Sequence, residues 1–320
     1  MCYSAMVEHD FRKMFREMPP PHVDYAAFAD IYERRLENDA IKLPKALDAN
    51  FYHPKTPDEK RIFDLIQTYN KARTKVLETE LFKQKARLGD AERKLKVKET
   101  KAALDSQRIA SNKIQWHLDK IADIKRTEPK ARDSRIFPMH YAPVIIRRDG
   151  ENIILPMRYH CRPAGKPAFY DQKYDGLYNA RRDNLEGFWK DQFGHSHAIA
   201  LVTGFYENVA KHDFEHRELA PDEKPQNLIL NFNPQPPVQM LVACLYSHWQ
   251  EAGKDDLYSF AAITDEPPPE VSAAGHDRCI VPIKQENVNA WLEPEKTGKE
   301  ALYDILDDRE RPYYEHRLAA

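Results

Sequence analysis

Glycine is scarce in this chain. Only 10 of the 320 residues are glycine, and none occurs before Gly89. Proline is absent between Pro57 and Pro129. With both strong helix breakers nearly missing, that stretch is predicted to be helical throughout. No run of 18 apolar residues occurs, and "MCYSAMVEHDFRK" lacks the apolar core of a signal peptide, so neither a membrane span nor a secretory leader is expected. The four cysteines, Cys2, Cys161, Cys244 and Cys279, lie far apart with no CxxC pair. That argues against a disulfide framework or a zinc ribbon and points to a reducing, cytoplasmic setting. Neither a Gly-rich phosphate loop nor a G-x-S-x-G elbow is present. "HDFEH" at 212–216 matches H-x-x-E-H, but it follows a strand-like run and leads into a Pro-rich loop rather than lying on a helix. No cofactor, metal or membrane partner is expected.

Charge of one sign is not lacking overall, since the net value is −2, but it is unevenly spread. Residues 83–135 carry 16 Lys and Arg against 8 Asp and Glu, a net of +8, which leaves the remainder near −10. A basic segment on an acidic body suits an anionic partner, nucleic acid first; the alternative is a solvated helix face.

The helical stretch opens at "TPDEKRIFDLIQTY", with Thr56 as N-cap, Pro57 at the first helical position and acidic residues in the first turn. Leu81, Leu88, Leu95, Ala102, Ile109 and Trp116 recur every seven residues, but their companion positions are mostly polar. Such a narrow seam fits a helical hairpin better than a strong parallel coiled coil. "LGDAE" at 88–92 supplies the expected turn, with legs of roughly 30–37 residues reaching about 45–55 Å. From 135 onward the texture changes. "APVIIRRDGENIILPMRY" reads as a hairpin about Asp149-Gly150, and "HAIALVTGFYENV", "NLILNFN", "VQMLVACLYS", "YSFAAIT" and "RCIVPI" as further strands. "DYAAFADIYERRLEN", "NLEGFWKDQF" and "KQENVNAWLEP" read as helices. The predicted fold is α+β: a mixed β-strand body, residues 1–55 and 133–320, interrupted by a helical arm at 56–132.

Chemistry is suggested first by the start, Met1-Cys2. Cysteine is small enough for Met1 to be removed, which leaves an amine and a thiol on adjacent carbons of Cys2. Such a 1,2-aminothiol condenses with an aldehyde to an imine that the sulfur closes into a thiazolidine. The plain alternative is that Cys2 is a small buried hydrophobe. Three further stretches follow in order. "YNARRDNL" places Asn179 and Arg181 in a loop, "GFYENV" puts Glu207 at a strand end, and "AAGHDRCIVPI" puts His276, Asp277 and Arg278 just ahead of a strand.

Taken in that order, Met1-Cys2, Asn179-Ala180-Arg181, Phe205-Tyr206-Glu207 and His276-Asp277-Arg278 resemble the SRAP (SOS response-associated peptidase) family, whose members shield abasic sites in single-stranded DNA. The resemblance covers about 1–50 and 135–320. It departs at Tyr3-Ser4, where many members have Gly-Arg with a phosphate-binding arginine, and at Asn208 and Tyr159, where tryptophan is usual. The resemblance implies an abasic-site processing protein of the DNA damage response. Cys2 would form a covalent thiazolidine cross-link with the abasic-site aldehyde, with possible lyase activity and autocatalytic removal of Met1. Glu207 would be its acid/base, Asn179 would orient the amine or opened sugar, and His276 would assist ring opening and reversal of the link. Arg181 and Arg278 would hold phosphates, with Tyr159 and Phe205 as aromatic platforms. The rival readings are a self-processing cysteine peptidase or N-terminal-nucleophile amidohydrolase, and an interaction module acting through the arm. The arm's own partner is left open between DNA, another protein and a second copy.

Overall fold

Alternation of apolar side chains with period two decides how the strand-like runs assemble. The computed structural model describes residues 3–14 and 21–319. Strands β1 (Ser4–Val7), β2 (His22–Val23) and β3 (Arg135–Ile136) are short. The hairpin read around Asp149-Gly150 forms as β4 (Tyr141–Arg148) and β5 (Glu151–Tyr159). Its two turn residues have φ of 52° and 82°, the geometry for which Asp-Gly is favoured. Then come β6 (Asn179–Arg181), β7 (His197–Ala210), β8 (Asn227–Gln235), β9 (Met240–Trp249) and β10 (Leu257–Asp265). β11 (Cys279–Ile280), β12 (Pro282–Ile283) and β13 (Tyr313–Leu318) complete one 13-stranded mixed sheet. With its helices this is an α+β fold.

The sheet closes on itself. β7 pairs with β9 over His197–Val202 and with β4 at Ile199, β4 pairs with β5, β5 runs parallel to β10, and β10 returns to β9. Alternate residues therefore serve two separate cores. Ala142, Val144, Leu155, Met157, Ala198, Ala200, Val242, Cys244 and Ala262 share one, and their neighbours Ile145, Ile154, Ile199, Ala243, Leu245, Ala261 and Ile263 share the other. Helix α1 (Tyr25–Glu37) covers the second core through Phe28, Ile31 and Tyr32, and α2 (Lys45–Asp48) adds Leu47. "NLEGFWKDQF" does not form the expected helix. It is a string of turns after a single 3-10 turn, Arg182–Asn184. The Asn184 side chain accepts the Phe188 N–H at 3.0 Å, and its carbonyl accepts the Trp189 N–H at 3.3 Å, so the ladder never becomes regular. The apolar spacing was nonetheless meaningful, because Leu185, Trp189 and Phe193 are all buried.

The helical stretch forms α3 (Pro57–Val97) and α4 (Lys101–Lys125). Thr56 caps α3 by accepting the Glu59 N–H at 3.2 Å. The turn does not fall at Gly89-Asp90: α3 runs straight through both and ends at Lys98, whose backbone is extended. A single glycine costs a helix only about 1 kcal/mol, and strong helix formers surround this one. Thr100 is the stop and restart, its hydroxyl accepting the Ala103 N–H at 3.3 Å. The legs are accordingly 41 and 25 residues rather than nearly equal. The seam is also displaced by one residue on α4, where Ala103, Ala110 and His117 are buried and Trp116 is exposed. They face Leu77, Leu81 and Ala91 of α3, and Arg87 donates to the Ser106 hydroxyl at 3.0 Å across the hairpin. The root of α3 is not separate from the body, since Ile62 and Ile66 lie in the second core. No helix among the described residues is long and apolar enough to cross a membrane.

Candidate active site

The N-terminal strand and the far end of β7 meet at one corner of the sheet. β1 runs antiparallel to β7 with Ser4 opposite Tyr206 and Ala5 opposite Phe205. The same register sets Tyr3, just ahead of β1, level with Glu207, and its peptide group favours the ionised carboxyl. Glu207 is fully buried (0% exposed), a costly place for a carboxylate. Burial pushes it up to about 8, with the Asp277 charge adding to the shift and the Tyr3 N–H opposing it. His276 Nε2 lies 3.3 Å from Glu207 Oε2. Its Nδ1 is 2.9 Å from the Arg278 carbonyl and 3.3 Å from the Arg278 N–H, so the backbone of Arg278 holds the ring with Nε2 turned to Glu207. Burial also lowers His276. Both shifts favour the uncharged forms of the two groups.

Gly275 makes this approach feasible. Its φ is +88°, and a Cβ there would come within 2.9 Å of Val209 Cγ1 and 3.1 Å of the Asp213 backbone. Glycine alone allows the 275–278 segment to lie against the end of β7. From His276 a chain of contacts leads onward. Arg278 Nη2 reaches Asp183 at 3.3 Å, and Asp183 also binds Arg181 at 2.7 Å. The two arginines expected to hold phosphates thus share one carboxylate. Arg181 closes β6 rather than lying in a loop, and Asn179 opens the same strand, paired with Ala262 of β10. Asn179 is buried, and neither end of its side-chain amide has a hydrogen-bond partner among the described residues. A buried unpartnered amide is costly and suits a group awaiting a ligand.

Met1 and Cys2 lie outside the described residues. Cys161, Cys244 and Cys279 are buried free thiols, and burial raises all three, Cys161 to about 12, which makes them poor nucleophiles. The aromatic platforms expected at Tyr159 and Phe205 are not available to a ligand. Tyr159 is 2% exposed, packed on Tyr178 and Phe260, and Phe205 is 0% exposed, stacked on Phe232 at 5.1 Å. Inward alternation on β5 and β7 sends both rings to the closed interior. "HDFEH" forms one turn at Lys211–Phe214, with His216 at φ 50° and Glu215 bound to Arg217. Its histidines therefore share no helix face, and among the described residues no group of three His, Cys, Asp or Glu side chains could hold a metal.

Sequence reasoning missed Arg135. Its Nε donates to the Ser4 hydroxyl at 3.0 Å, and its guanidinium lies 3.5 Å over the Tyr206 ring and 4.7 Å from that of Phe137. No carboxylate among the described residues pairs with it, so a half-buried positive charge stands beside β1. Its only trace in sequence is an arginine ending the Arg-rich exit from the arm, just before a strand.

A family model, SOS response associated peptidase (SRAP), matches residues 99–318, over two thirds of the chain. The chain belongs to the SRAP family. The matched span holds Asn179, Arg181, Glu207, His276 and Arg278 together with α4; Cys2 and α3 precede it. The family's name ties it to the SOS response, that is, to DNA damage. No curated protein matches the chain. Among solved structures, a crystal structure of a protein from Bacteroides thetaiotaomicron is similar at 14% identity, over 58% of this chain and 78% of that one, with a TM-score of 0.46. Two from Bordetella bronchiseptica are similar as well. One is 15% identical over 58% of this chain and 87% of that one, with a TM-score of 0.45. The other, a phage-related protein, is 19% identical over 58% and 81%, with a TM-score of 0.44.

Proposed function

We propose that this SRAP protein captures abasic sites in single-stranded DNA through Cys2. SRAP membership supports abasic-site processing in DNA damage at the level of the family, and the covalent step proposed here goes further. The observation that carries it is the antiparallel pairing of β1 with β7, Ser4 opposite Tyr206, which sets Tyr3, the residue joined to Cys2, level with the buried Glu207. A proton donor and acceptor thus stands one residue from the 1,2-aminothiol that remains once Met1 is hydrolysed off.

The chemistry follows in balanced steps. The Cys2 amine adds to the aldehyde carbon of the opened sugar and gives a carbinolamine. Glu207, neutral near pH 7, donates its proton to the carbinolamine hydroxyl, which leaves as water, and the iminium forms. The Glu207 carboxylate then accepts the thiol proton as sulfur attacks the imine carbon. The C–S bond closes the five-membered thiazolidine, and the ring nitrogen becomes a neutral amine as the iminium electrons return to it. His276, 3.3 Å from Glu207, takes or returns a proton so that sugar opening and reversal of the link are served by the same pair. Asn179 offers its free amide to the opened sugar, and Arg181 and Arg278 offer charge to flanking phosphates.

The test is incubation with single-stranded DNA bearing one abasic site, followed by a denaturing gel. A stable shifted band is expected from the wild type. Cys2→Ser keeps the amine and should give only a transient imine, visible after borohydride reduction. A durable adduct from Cys2→Ser would overturn the thiazolidine. No adduct from a wild type whose Met1 is shown by mass spectrometry to be gone would favour an amidohydrolase. His276→Ala should mainly slow release from the preformed adduct.

A further inference from the structure

Where the helical arm meets the body lies a cleft of about 350 Å³ between α1, the segment before α2, α3 and α4. Five of its lining side chains are cationic, Arg35, Lys42, Lys45, Arg73 and Lys120, against two carboxylates. Both carboxylates are already engaged. Asp48 is buried and accepts the Tyr32 hydroxyl at 2.7 Å with Arg35 at 3.5 Å, and Asp123 binds Arg126 and Arg132 at 3.0 and 2.6 Å. Arg73 has an exposed partner, Asp39, at 3.0 Å, and Lys45 donates to the last carbonyls of α4, at Asp123 and Ile124. Lys120 has no ion pair among the described residues and stands 5.7 Å from the ring of Trp116, which is 49% exposed. An exposed indole beside Lys120, in a cleft whose cations outnumber its carboxylates, is the composition of a single-strand site, in which bases stack and phosphates are neutralised.

The cleft is also connected to the reactive corner. Lys42 forms a bridge with His140, and its carbonyl accepts the Tyr141 N–H at 2.9 Å. The His140 ring lies 5.4 Å from Phe137, and Phe137 lies 5.8 Å from Tyr3 and beside Arg135. Rings and cations therefore alternate from Tyr3 to Lys42 without an intervening carboxylate among these residues.

We propose that this cleft is a second contact for single-stranded DNA. Phosphates lie on Lys42, Arg73 and Lys120, and a base stacks on Trp116. The strand leaves the reactive corner past Arg135 and Phe137 and continues to the arm. The inference rests on the abasic-DNA reading for its direction, but its test uses undamaged DNA. Full-length wild type, Trp116→Ala and Lys120→Gln are titrated with a fluorescent undamaged strand of about 25 nucleotides, longer than one binding site of about 4–16. Trp116→Ala is expected to weaken binding by about 5- to 100-fold. Lys120→Gln should lower the salt slope, d log K/d log [salt], by about 0.7. Both side chains are exposed, so folding is preserved, and circular dichroism verifies it. Unchanged affinity and unchanged salt slope in both variants overturn the proposal, and the cleft then serves an acidic protein segment or nothing. Cross-linking of a short abasic strand, measured in wild type and in Lys120→Gln, reports on the reactive corner separately. Its failure in wild type condemns the abasic reading while leaving the cleft result intact.

Discussion

Ionisable groups are handled in opposite ways at the two ends of this molecule. At the corner the two central groups, Glu207 and His276, are buried, and burial moves both toward their neutral forms. Along the arm ionisable groups are many, exposed and charged. The arm's own pairs, such as Lys83–Glu80 at 2.6 Å and Arg108–Asp105 at 3.6 Å, are solvent-facing contacts between neighbouring turns. Each such pair contributes at most about 1 kcal/mol and is screened by salt. The arm is held instead by a thin seam of Leu77, Leu81, Ala91, Ala103 and Ala110, which leaves most of its charge available to a partner. Under the functions proposed above, the difference is a division of labour. Proton transfer needs a group whose charge is suppressed by its surroundings, and long-range capture of an anionic strand needs charge that is not.

The strongest way to break that division is at the corner. Glu207→Ala is expected to slow cross-linking by about 10²–10³-fold in single-turnover kinetics, the usual loss for a general acid/base. We propose that the outer arm is dispensable to the same step. Excision of residues 80–113, with the ends joined by a short Gly-Ser turn, should leave the rate on a short abasic strand unchanged. If the excised protein folds but no longer cross-links, the arm belongs to the chemistry and the division is wrong.

Root and tip of the arm should differ in stability as sharply. Ile66→Ala opens a cavity in the body's core and is expected to cost about 2–5 kcal/mol in denaturant unfolding. Phe82→Ala, on a ring 68% exposed, should stay within about 0.5 kcal/mol of wild type. Equal costs at both positions would mean that arm and body unfold as one unit through a tighter seam than the buried residues describe.

Acidity sharpens the comparison further. Glu207 is held at about 8 in the folded protein against an ordinary 4.5, so between these values the folded state binds more protons than the unfolded one. Stability contributed by the neutral carboxyl is therefore full below about 4.5 and declines as pH rises toward 8. The cross-linking rate, which needs the neutral acid, should fall by up to about tenfold per pH unit above that pKa. In Glu207→Gln the stability slope should flatten. A wild-type rate that keeps rising past pH 9 would transfer the acid role to another group.

Much of this was legible in the sequence because the relevant physics is local. The Asp149-Gly150 turn, the Thr56-Pro57 helix start and the alternating runs of β4 to β10 each depend on neighbours within a few residues. What escaped depends on distance along the chain. Tyr159 and Phe205 are aromatic at plausible positions, but only closure of the sheet decides that their faces point inward. Arg135 is joined to Ser4 from more than a hundred residues away, and Asp183 binds both Arg181 and Arg278 across β6 and the segment before β11. No local pattern announces such partnerships. The pairing of Glu207 with His276 was foreshadowed only by the order of the motifs.

The smallest effect tests the misread turn. Gly89 was expected to end a helix, where its freedom at positive φ would be required and any side chain would be strained. In α3 it has ordinary helical neighbours, and a Cβ there meets nothing within 4 Å. Gly89→Ala should therefore stabilise α3 by up to about 1 kcal/mol, through lower backbone entropy in the unfolded chain and better helix propensity. Because the position lies in the arm, the gain should be read by helical content and by hydrogen exchange of the 85–95 amides rather than by the body's unfolding midpoint. Thr100→Ala should act oppositely, losing about 1 kcal/mol of cap where the turn lies. If Gly89→Ala instead destabilises the arm while Thr100→Ala is silent, the chain turns at 89 in solution. The basic residues of 90–97 would then run back along the other leg, and the uneven legs that carry Trp116 and Lys120 to the body's edge would have to be redrawn.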